Sequence, residues 1–173
     1  EYAPVHKQMA SRSLKNLCLS YWAKASAEGV QQAEQQYNES DNMTDQISAL
    51  TILVNEANKD QAQIVLDNFY QQWQHDSLVV NQWFSVQAGS TALGTVSHIN
   101  ELLAHSAFDW RNPNKIRAVL GAFANQSLVN FHQMNGEGYE VLKDAILRLN
   151  KANPQIASRL ITPLTRWKRF VPA

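Results

Sequence analysis

The sequence contains few of the residues that cross-link or interrupt a folded chain. Its 173 residues include one cysteine, six glycines and five prolines. A single cysteine excludes an internal disulfide, and its position between Leu17 and Leu19 predicts that Cys18 is a small buried apolar residue. With 45% apolar and 17% charged residues, the composition is typical of a globular domain rather than a disordered or fibrous chain.

Segments that would direct the chain to a membrane are also missing. No apolar run approaches the roughly 20 residues that a spanning helix requires. Residues 1–4 (EYAP) lack the charged, apolar and small-residue succession of a signal peptide. We therefore expect a soluble domain, and the length fits a single domain over residues 1–173. The expected location of the protein is cytoplasmic.

Motifs that carry chemistry are absent as well. The sequence has no Gly-rich phosphate loop, no Gly-x-Ser-x-Gly elbow, no paired cysteines and no His-Glu-x-x-His zinc helix. His98, Glu101 and His105 share one helix face, but the two imidazoles are two turns, roughly 10 Å, apart, which is too far to share a zinc ion. We interpret them as a solvated polar face and His132 as a packed histidine. The chain is predicted to hold no catalytic residue, metal or cofactor of its own.

The charge, in contrast, is unevenly distributed. Residues 111–170 contain ten Lys or Arg and three acids, which gives +7 there and −7 for the remainder of a chain whose formal charge is zero. A basic segment of this kind attracts phosphates, carboxylates or an acidic neighbouring domain. One hypothesis is therefore a helical-repeat interaction module that binds an acidic protein or nucleic acid through its basic C-terminal third.

The apolar residues recur every three or four positions, which predicts an all-α fold of about ten helices. We expect antiparallel pairs forming an irregular superhelix, a HEAT/armadillo-like bowl, with a closed bundle as the alternative. Helices are predicted over about 7–25, 28–37, 92–104 and 128–134, and Pro163 is predicted to kink the last helix. The buried stripe of the first helix is predicted to contain Leu14, Leu17, Cys18, Tyr21 and Trp22. All tryptophans except Trp110 are predicted to lie in the core.

Two arginines lie off the apolar stripes of helices that each begin with Asn-Pro. Arg117 lies outside the stripe of the first such helix, and Arg159 lies on the flank of the second, seven residues before Arg166. Because arginine binds carboxylates in a bidentate manner, a concave surface bearing these side chains would suit a peptide carboxylate or backbone carbonyls. The alternative is that they are solvated or form salt bridges between helices.

Four segments together carry a family resemblance. They are residues 12–19 (RSLKNLCL), 42–45 (NMTD), 112–123 (NPNKIRAVLGAF) and 153–161 (NPQIASRLI), the last followed by Pro163 and Leu164. In this order and spacing they resemble the C-terminal helical domain of bacterial aminopeptidase N, a zinc metallopeptidase of the gluzincin aminopeptidase family. The resemblance spans nearly the whole chain.

The resemblance implies a parent enzyme that releases N-terminal amino acids from short peptides. It implies that zinc is bound in a thermolysin-like catalytic domain, whose ligands are not in this chain. The C-terminal domain of the family caps the catalytic domain, encloses the active-site cavity and narrows the route for peptides. Arg117 and Arg159 match arginines of that cavity wall. The implied partners are the catalytic domain of the same polypeptide and short peptides, with no nucleic acid and no membrane. The family sequence continues beyond Phe170, so we expect that the final helix or two are lacking and that an apolar strip is exposed.

Overall fold

The computed structural model describes residues 5–170, and every regular element in that range is helical. The residues divide into two compact units, 1–73 and 74–173. The terminal segments 1–4 and 171–173 lie outside the described residues, so the expectations for the two chain ends stay predictions, as does the single domain.

The first unit consists of four helices within residues 5–73. They are α1 (His6–Ala25), α2 (Ala27–Glu39), α3 (Met43–Glu56) and α4 (Lys59–Trp73). Polar side chains begin α2 and α3: Ser26 accepts a hydrogen bond from the Gly29 N–H, and Asn42 accepts one from the Asp45 N–H. The core contains Ala33, Leu50, Val54, Leu66 and Phe69.

Helices α1 and α2 cross closely enough to require a glycine. A Cβ atom built on Gly29 would lie 2.4 Å from the Trp22 carbonyl carbon and 2.4 Å from the Ala23 nitrogen. Both atoms belong to the backbone of α1, so neither can move aside as a flexible side chain would. The crossing distance of the two helices therefore depends on the missing side chain at this position.

A hydrogen-bond network centred on Asp45 joins the first three helices. The Asp45 carboxylate accepts hydrogen bonds from Lys15 Nζ at 2.6 Å, Asn16 Nδ2 at 2.9 Å and Asn42 Nδ2 at 3.1 Å. From α2, Gln36 Nε2 donates to the Asp45 carbonyl at 3.0 Å and to Asn16 Oδ1 at 2.9 Å. Burial alone would raise the pKa of Asp45, but the hydrogen bonds from Lys15, Asn42 and Asn16 outweigh it and lower the pKa.

The predicted buried stripe of α1 is wrong. Leu14, Leu17, Cys18, Tyr21 and Trp22 are all exposed, and α1 buries Leu19 and Ala23 instead. The network explains the reversal, because Lys15 and Asn16 must face Asp45 on α3 and the close crossing needs the small Ala23 against α2. The five residues do share one face, but it is the face that points away from α2 and α3.

The second unit contains six helices within its described residues, followed by a 3₁₀ segment. They are α5 (Ser77–Gly89), α6 (Val96–Ala104), α7 (residues 113–126), α8 (Leu128–Phe131), α9 (Glu137–Ala152) and α10 (Pro154–Leu160), and the 3₁₀ helix is Thr162–Arg169. Phe84, Phe123 and Phe131 are fully buried and form its centre with Ile116 and Leu120.

Three local predictions for this unit differ from the structure. Helix α8 ends at Phe131 rather than at residue 134. Helix α6 begins at Val96 rather than at residue 92, because Thr95 accepts a hydrogen bond from the His98 N–H and thereby caps it. Pro163 does not kink a continuous α-helix. Helix α10 ends at Leu160 and the chain continues as 3₁₀ helix, since Pro163 has no N–H to donate to the preceding turn.

The tryptophans only partly follow the prediction. Trp83 is buried and Trp73 is half-buried, but Trp22 and Trp167 are 47% and 46% exposed. Trp167 lies on the 3₁₀ segment, whose three-residue turn differs from the α-helical turn on which the prediction was based. The prediction of a core position is therefore wrong for these two residues.

Candidate functional site

Two helices of the second unit begin with the same cap and carry the two arginines. Asn112 accepts a hydrogen bond from the Asn114 N–H at the start of α7, and Asn153 accepts one from the Ile156 N–H at the start of α10. In each case a proline occupies the first helical position, where its missing N–H leaves no hydrogen bond unmade. The Asn-Pro pairs therefore fix where each helix begins, and with it the positions of Arg117 and Arg159.

Helix α7 contains a π-helical turn directly after its first turn. The segment Pro113–Ile116 is α-helical, Arg117–Gly121 is π-helical and Ala122–Gln126 is α-helical again. The Ala122 N–H donates to the Arg117 carbonyl, five residues back, as a π-turn requires. Turns of this kind often occur at functional sites, and this one begins at a predicted site residue.

Arg117 and Arg159 line one pocket of about 380 Å³. This volume lies within the range that small-ligand sites occupy. The pocket is bordered by α5, both halves of α7, α10 and the first residues of the 3₁₀ segment. Its remaining lining residues are Ser85, Gly121, Ala122, Asn125, Gln126, Ile156, Leu160 and Pro163.

The charge of this pocket is of one sign. No aspartate or glutamate is among its lining residues. The guanidinium of Arg117 donates to the neutral side-chain oxygen of Asn114, and no ion pair within residues 5–170 involves Arg117 or Arg159. Two cations that share a concave surface without a carboxylate form a site for an anion.

The three residues weighed as metal ligands have other roles. His98 Nδ1 lies 3.1 Å from Glu101 Oε2, and its Nε2 lies 3.2 Å from Gln87 Oε1. His105 does not lie on a solvated face as predicted, because α6 ends at Ala104 and the ring packs 5.2 Å from Trp83 between centroids. The described part of the chain contains no group of three His, Cys, Asp or Glu residues that could hold a metal ion.

His132 is a packed histidine, as predicted. Its ring stacks on Phe170 with centroids 3.7 Å apart and an interplanar angle of 11°, and its Nδ1 lies 2.7 Å from the Tyr139 hydroxyl. Burial lowers the pKa of His132. These contacts hold the end of the 3₁₀ segment against α8 and α9, so the structure gives the residue a packing role.

Some residues in and beside the pocket carry no sequence signal. Asn114 reads as an ordinary first-turn residue, yet it is the hydrogen-bond partner of Arg117. Gln126 lies opposite Arg117 on a helical wheel of about 100° per residue, and the π-turn changes the helical register so that it reaches the pocket. A helical wheel of constant pitch could not have found Gln126.

A second pocket of the same unit is lined mainly by acidic side chains among its charged residues. Glu137, Glu140 and Asp144, the three acids of residues 111–170, line it together with Trp110 and Arg148. The Arg148 guanidinium lies 4.2 Å from the centroid of the Trp110 ring. The acids and the arginine pair thus lie in separate pockets of the second unit.

Comparison with known proteins identifies the family. A family model described as a domain of unknown function (DUF3458_C) with ARM repeats matches residues 1–173. The chain belongs to this family. The prediction of an all-α, armadillo-like fold of about ten helices is confirmed by that description and by the ten helices within residues 5–170. None of these helices is long and apolar enough to cross a membrane.

The relatives of the chain are aminopeptidases. It is 39% identical to aminopeptidase N of Haemophilus influenzae over 170 residues, which cover 98% of this chain and 19% of that protein. It is 37% identical to aminopeptidase N of Escherichia coli over 171 residues, which cover 98% of this chain and 20% of that protein. The chain therefore spans about a fifth of the length of these relatives.

A solved structure agrees with these relatives. The crystal structure of Legionella pneumophila aminopeptidase A in complex with aspartic acid superposes with a TM-score of 0.84 and 35% identity, covering 95% of this chain and 20% of that one. The predicted resemblance to the C-terminal helical domain of aminopeptidase N is confirmed. The alternative of a nucleic-acid or acidic-protein module is not favoured.

Proposed function

We propose that this chain is a domain of a cytoplasmic, zinc-dependent aminopeptidase. The domain caps the catalytic domain, encloses the active-site cavity and admits short peptides. The parent polypeptide would release N-terminal amino acids, and its partners would be the catalytic domain of the same polypeptide and the peptide substrates. The named relatives are aminopeptidases of about five times the length of this chain, which supports a domain role.

The zinc of the proposed parent enzyme would be bound by its catalytic domain. Residues 5–170 offer no cluster of His, Cys, Asp and Glu that fits the metal. Its ligands would be supplied by the catalytic domain, so the residues of this chain bind and orient the peptide rather than activate the scissile bond.

The arginine pocket carries the proposal. A peptide whose N-terminal bond is positioned for cleavage has its carboxylate at the far end, and Arg117 and Arg159 offer two guanidinium groups without a competing acid. Charge-assisted hydrogen bonds to a carboxylate are worth about 1.5–3 kcal/mol each. The domain would therefore hold the distal end of short peptides, while the enclosed cavity excludes folded proteins.

The test replaces both arginines in the full-length parent enzyme. We expect Arg117→Ala with Arg159→Ala to raise KM for tri- and tetrapeptides at least about tenfold. Turnover of an amino-acid amide, which has no distal carboxylate, should stay unchanged.

The matched control is Arg166→Ala, because Arg166 is exposed and lies seven residues from Arg159 outside the pocket. Unchanged KM values for the peptides in the double variant would contradict the anchoring role. Fractionation of cells that produce the parent polypeptide tests its cytoplasmic location.

A further inference from the structure

The arginine pocket also has an apolar wall. Ala122 of α7, Ile156 and Leu160 of α10, and Pro163 at the start of the 3₁₀ segment line it beside the two guanidinium groups. Leu160 and Pro163 are buried and Ile156 is half-buried, so the wall is held by the packing of the unit. A bare anion would use the arginines and leave this wall in contact with water.

We propose that the pocket is a subsite for the C-terminal residue of the peptide, which binds its free α-carboxylate at Arg117 and Arg159 and its apolar side chain against Ile156. This inference rests on the proposed function and names the substrate class of the same site: short peptides that end in an apolar residue with a free carboxylate. A volume of about 380 Å³ accommodates one residue with part of the next peptide unit.

The position of Arg117 supports binding of the main-chain carboxylate. Its guanidinium is held by Asn114, one turn earlier on the same helix, which leaves the other N–H groups of the fork available. An oriented guanidinium loses less conformational entropy when it binds, and its planar fork matches the two oxygens of one carboxylate. Arg159 has no ion pair within residues 5–170 and supplies the second charge.

The apolar wall excludes a second charge. Because both guanidinium groups are engaged by the α-carboxylate, a C-terminal Asp or Glu would place its side-chain carboxylate against Ile156 and Leu160, where it would lose water without gaining a partner. A C-terminal serine would fit but would bury little apolar area. A leucine side chain gains from the same contact, which corresponds to roughly tenfold in kcat/KM when it is largely buried.

The experiment uses the full-length parent enzyme and tetrapeptides that share their first three residues. The fourth residue is Leu, Ser or Glu with a free carboxylate, or Leu as the C-terminal amide. We expect kcat/KM to be about tenfold higher for Leu than for Ser, lower still for Glu, and about tenfold higher for the Leu acid than for the Leu amide.

Variants separate the two parts of the subsite. Arg117→Ala with Arg159→Ala should abolish the difference between acid and amide. Ile156→Thr should reduce the preference for Leu over Ser while the difference between acid and amide remains, and Ile156→Val should restore most of that preference. An amino-acid amide that does not reach the pocket reports whether each variant is folded and active.

The outcomes distinguish the inference from the proposed function. If the wild-type enzyme prefers acid to amide but treats Leu and Ser alike, the arginines anchor the peptide and the apolar subsite is refuted. The same holds if Ile156→Thr leaves the Leu to Ser ratio unchanged. If acid and amide are cleaved equally by the wild-type enzyme, both the anchoring role and the subsite are refuted.

Discussion

At the scale of single residues, the segments that identify the family correspond to two polar constellations. Residues 12–19 and 42–45 supply Lys15, Asn16, Asn42 and Asp45, which form the network of the first unit. Residues 112–123 and 153–161 supply the arginine pocket of the second unit. The recognisable positions are therefore those where a polar side chain has a specific partner or lines a shared pocket.

Asp45 provides a prediction for stability. Asp45→Asn replaces one of the two acceptor oxygens by an NH2 group, which would face a donor, either Lys15 Nζ or Asn16 Nδ2. We expect a loss of about 2 kcal/mol in the free energy of unfolding at pH 7, measured by urea denaturation. The exposed Asp67→Asn is the control and should change this free energy by less than about 0.5 kcal/mol.

The sign of the pH dependence follows from the lowered pKa of Asp45. The unfolded state takes up this proton near the usual pKa of 3.8, whereas the folded state resists it. The contribution of Asp45 is therefore complete above that value and is lost as the pH falls toward the lowered pKa of the folded state. If acid lowered the free energy of unfolding of the wild-type chain and of the Asp45→Asn variant by the same amount, this assignment would be contradicted.

Some residues of the candidate site could be predicted from the sequence. Arg117 and Arg159 could be singled out because each lies off an apolar stripe, and the structure places both in one pocket. Their role as peptide anchors stays a prediction. Asn114 could not be found, because a polar residue in a first helical turn has many possible partners and only the structure shows the one it contacts.

At the scale of elements, the period of a helix shows which residues share a face but not which face is buried. Helix α1 illustrates this, since its large apolar residues share one face as predicted and yet are exposed. Its packing face is set by partners on other helices, Gly29 on α2 and Asp45 on α3, which a single helical wheel does not contain. Helix α6 begins where Thr95 caps it, and helix α10 ends before Pro163.

The close crossing of α1 and α2 gives a prediction at this scale. Gly29→Ala would bring a methyl group within 2.4 Å of α1 backbone atoms, so the two helices must separate. We expect the free energy of unfolding to fall by about 2–3 kcal/mol, measured by urea denaturation.

Gly121→Ala is the matched control for this prediction. A Cβ atom at Gly121 would meet its nearest neighbour, Arg117 Cβ, at an ordinary 3.7 Å, and the backbone there is already helical. This variant should be neutral or more stable by about 0.5–1 kcal/mol. Equal effects of the two substitutions would show that the crossing is not tight.

At the scale of the whole molecule, stability should decline in mildly acidic solution. Burial lowers the pKa of His105, assisted by the charge of Lys115, and burial lowers the pKa of His132. As the pH falls through about 6.5, the unfolded chain therefore binds protons that the folded chain does not, and the free energy of unfolding decreases until the pH is below the lowered values.

The measurement is the thermal midpoint of the chain between pH 8 and pH 5. His105→Asn can keep the hydrogen bond that the Ala107 N–H donates to His105 Nδ1, and His132→Gln removes the second ring. Together the two substitutions should make the thermal midpoint fall less between pH 8 and pH 5. A double variant as sensitive to acid as the wild-type chain would show that other groups cause it.

The sequence predicts one basic segment, whereas the structure places acidic and basic side chains of that segment in different pockets. All three acids of residues 111–170 line the Trp110 pocket, whereas Arg117 and Arg159 line another pocket without an acid. Composition gives the net charge of a segment. The positions of its acidic and basic side chains depend on how the helices pack. The family, the all-α fold and the number of helices were within reach of the sequence, since they rest on pattern and motif order.

The π-helical turn of α7 also makes the length of that segment informative. Such a turn holds one residue more than the α-helical turn it replaces. A homologue that lacks one residue between positions 117 and 121 would form an uninterrupted α-helix, and the residues after the gap would keep their orientation about the helix axis. The residues that align with Asn125 and Gln126 would then still face the cavity beside Arg117, so an alignment gap here would mark the relatives that have lost the π-turn but kept both sides of the subsite.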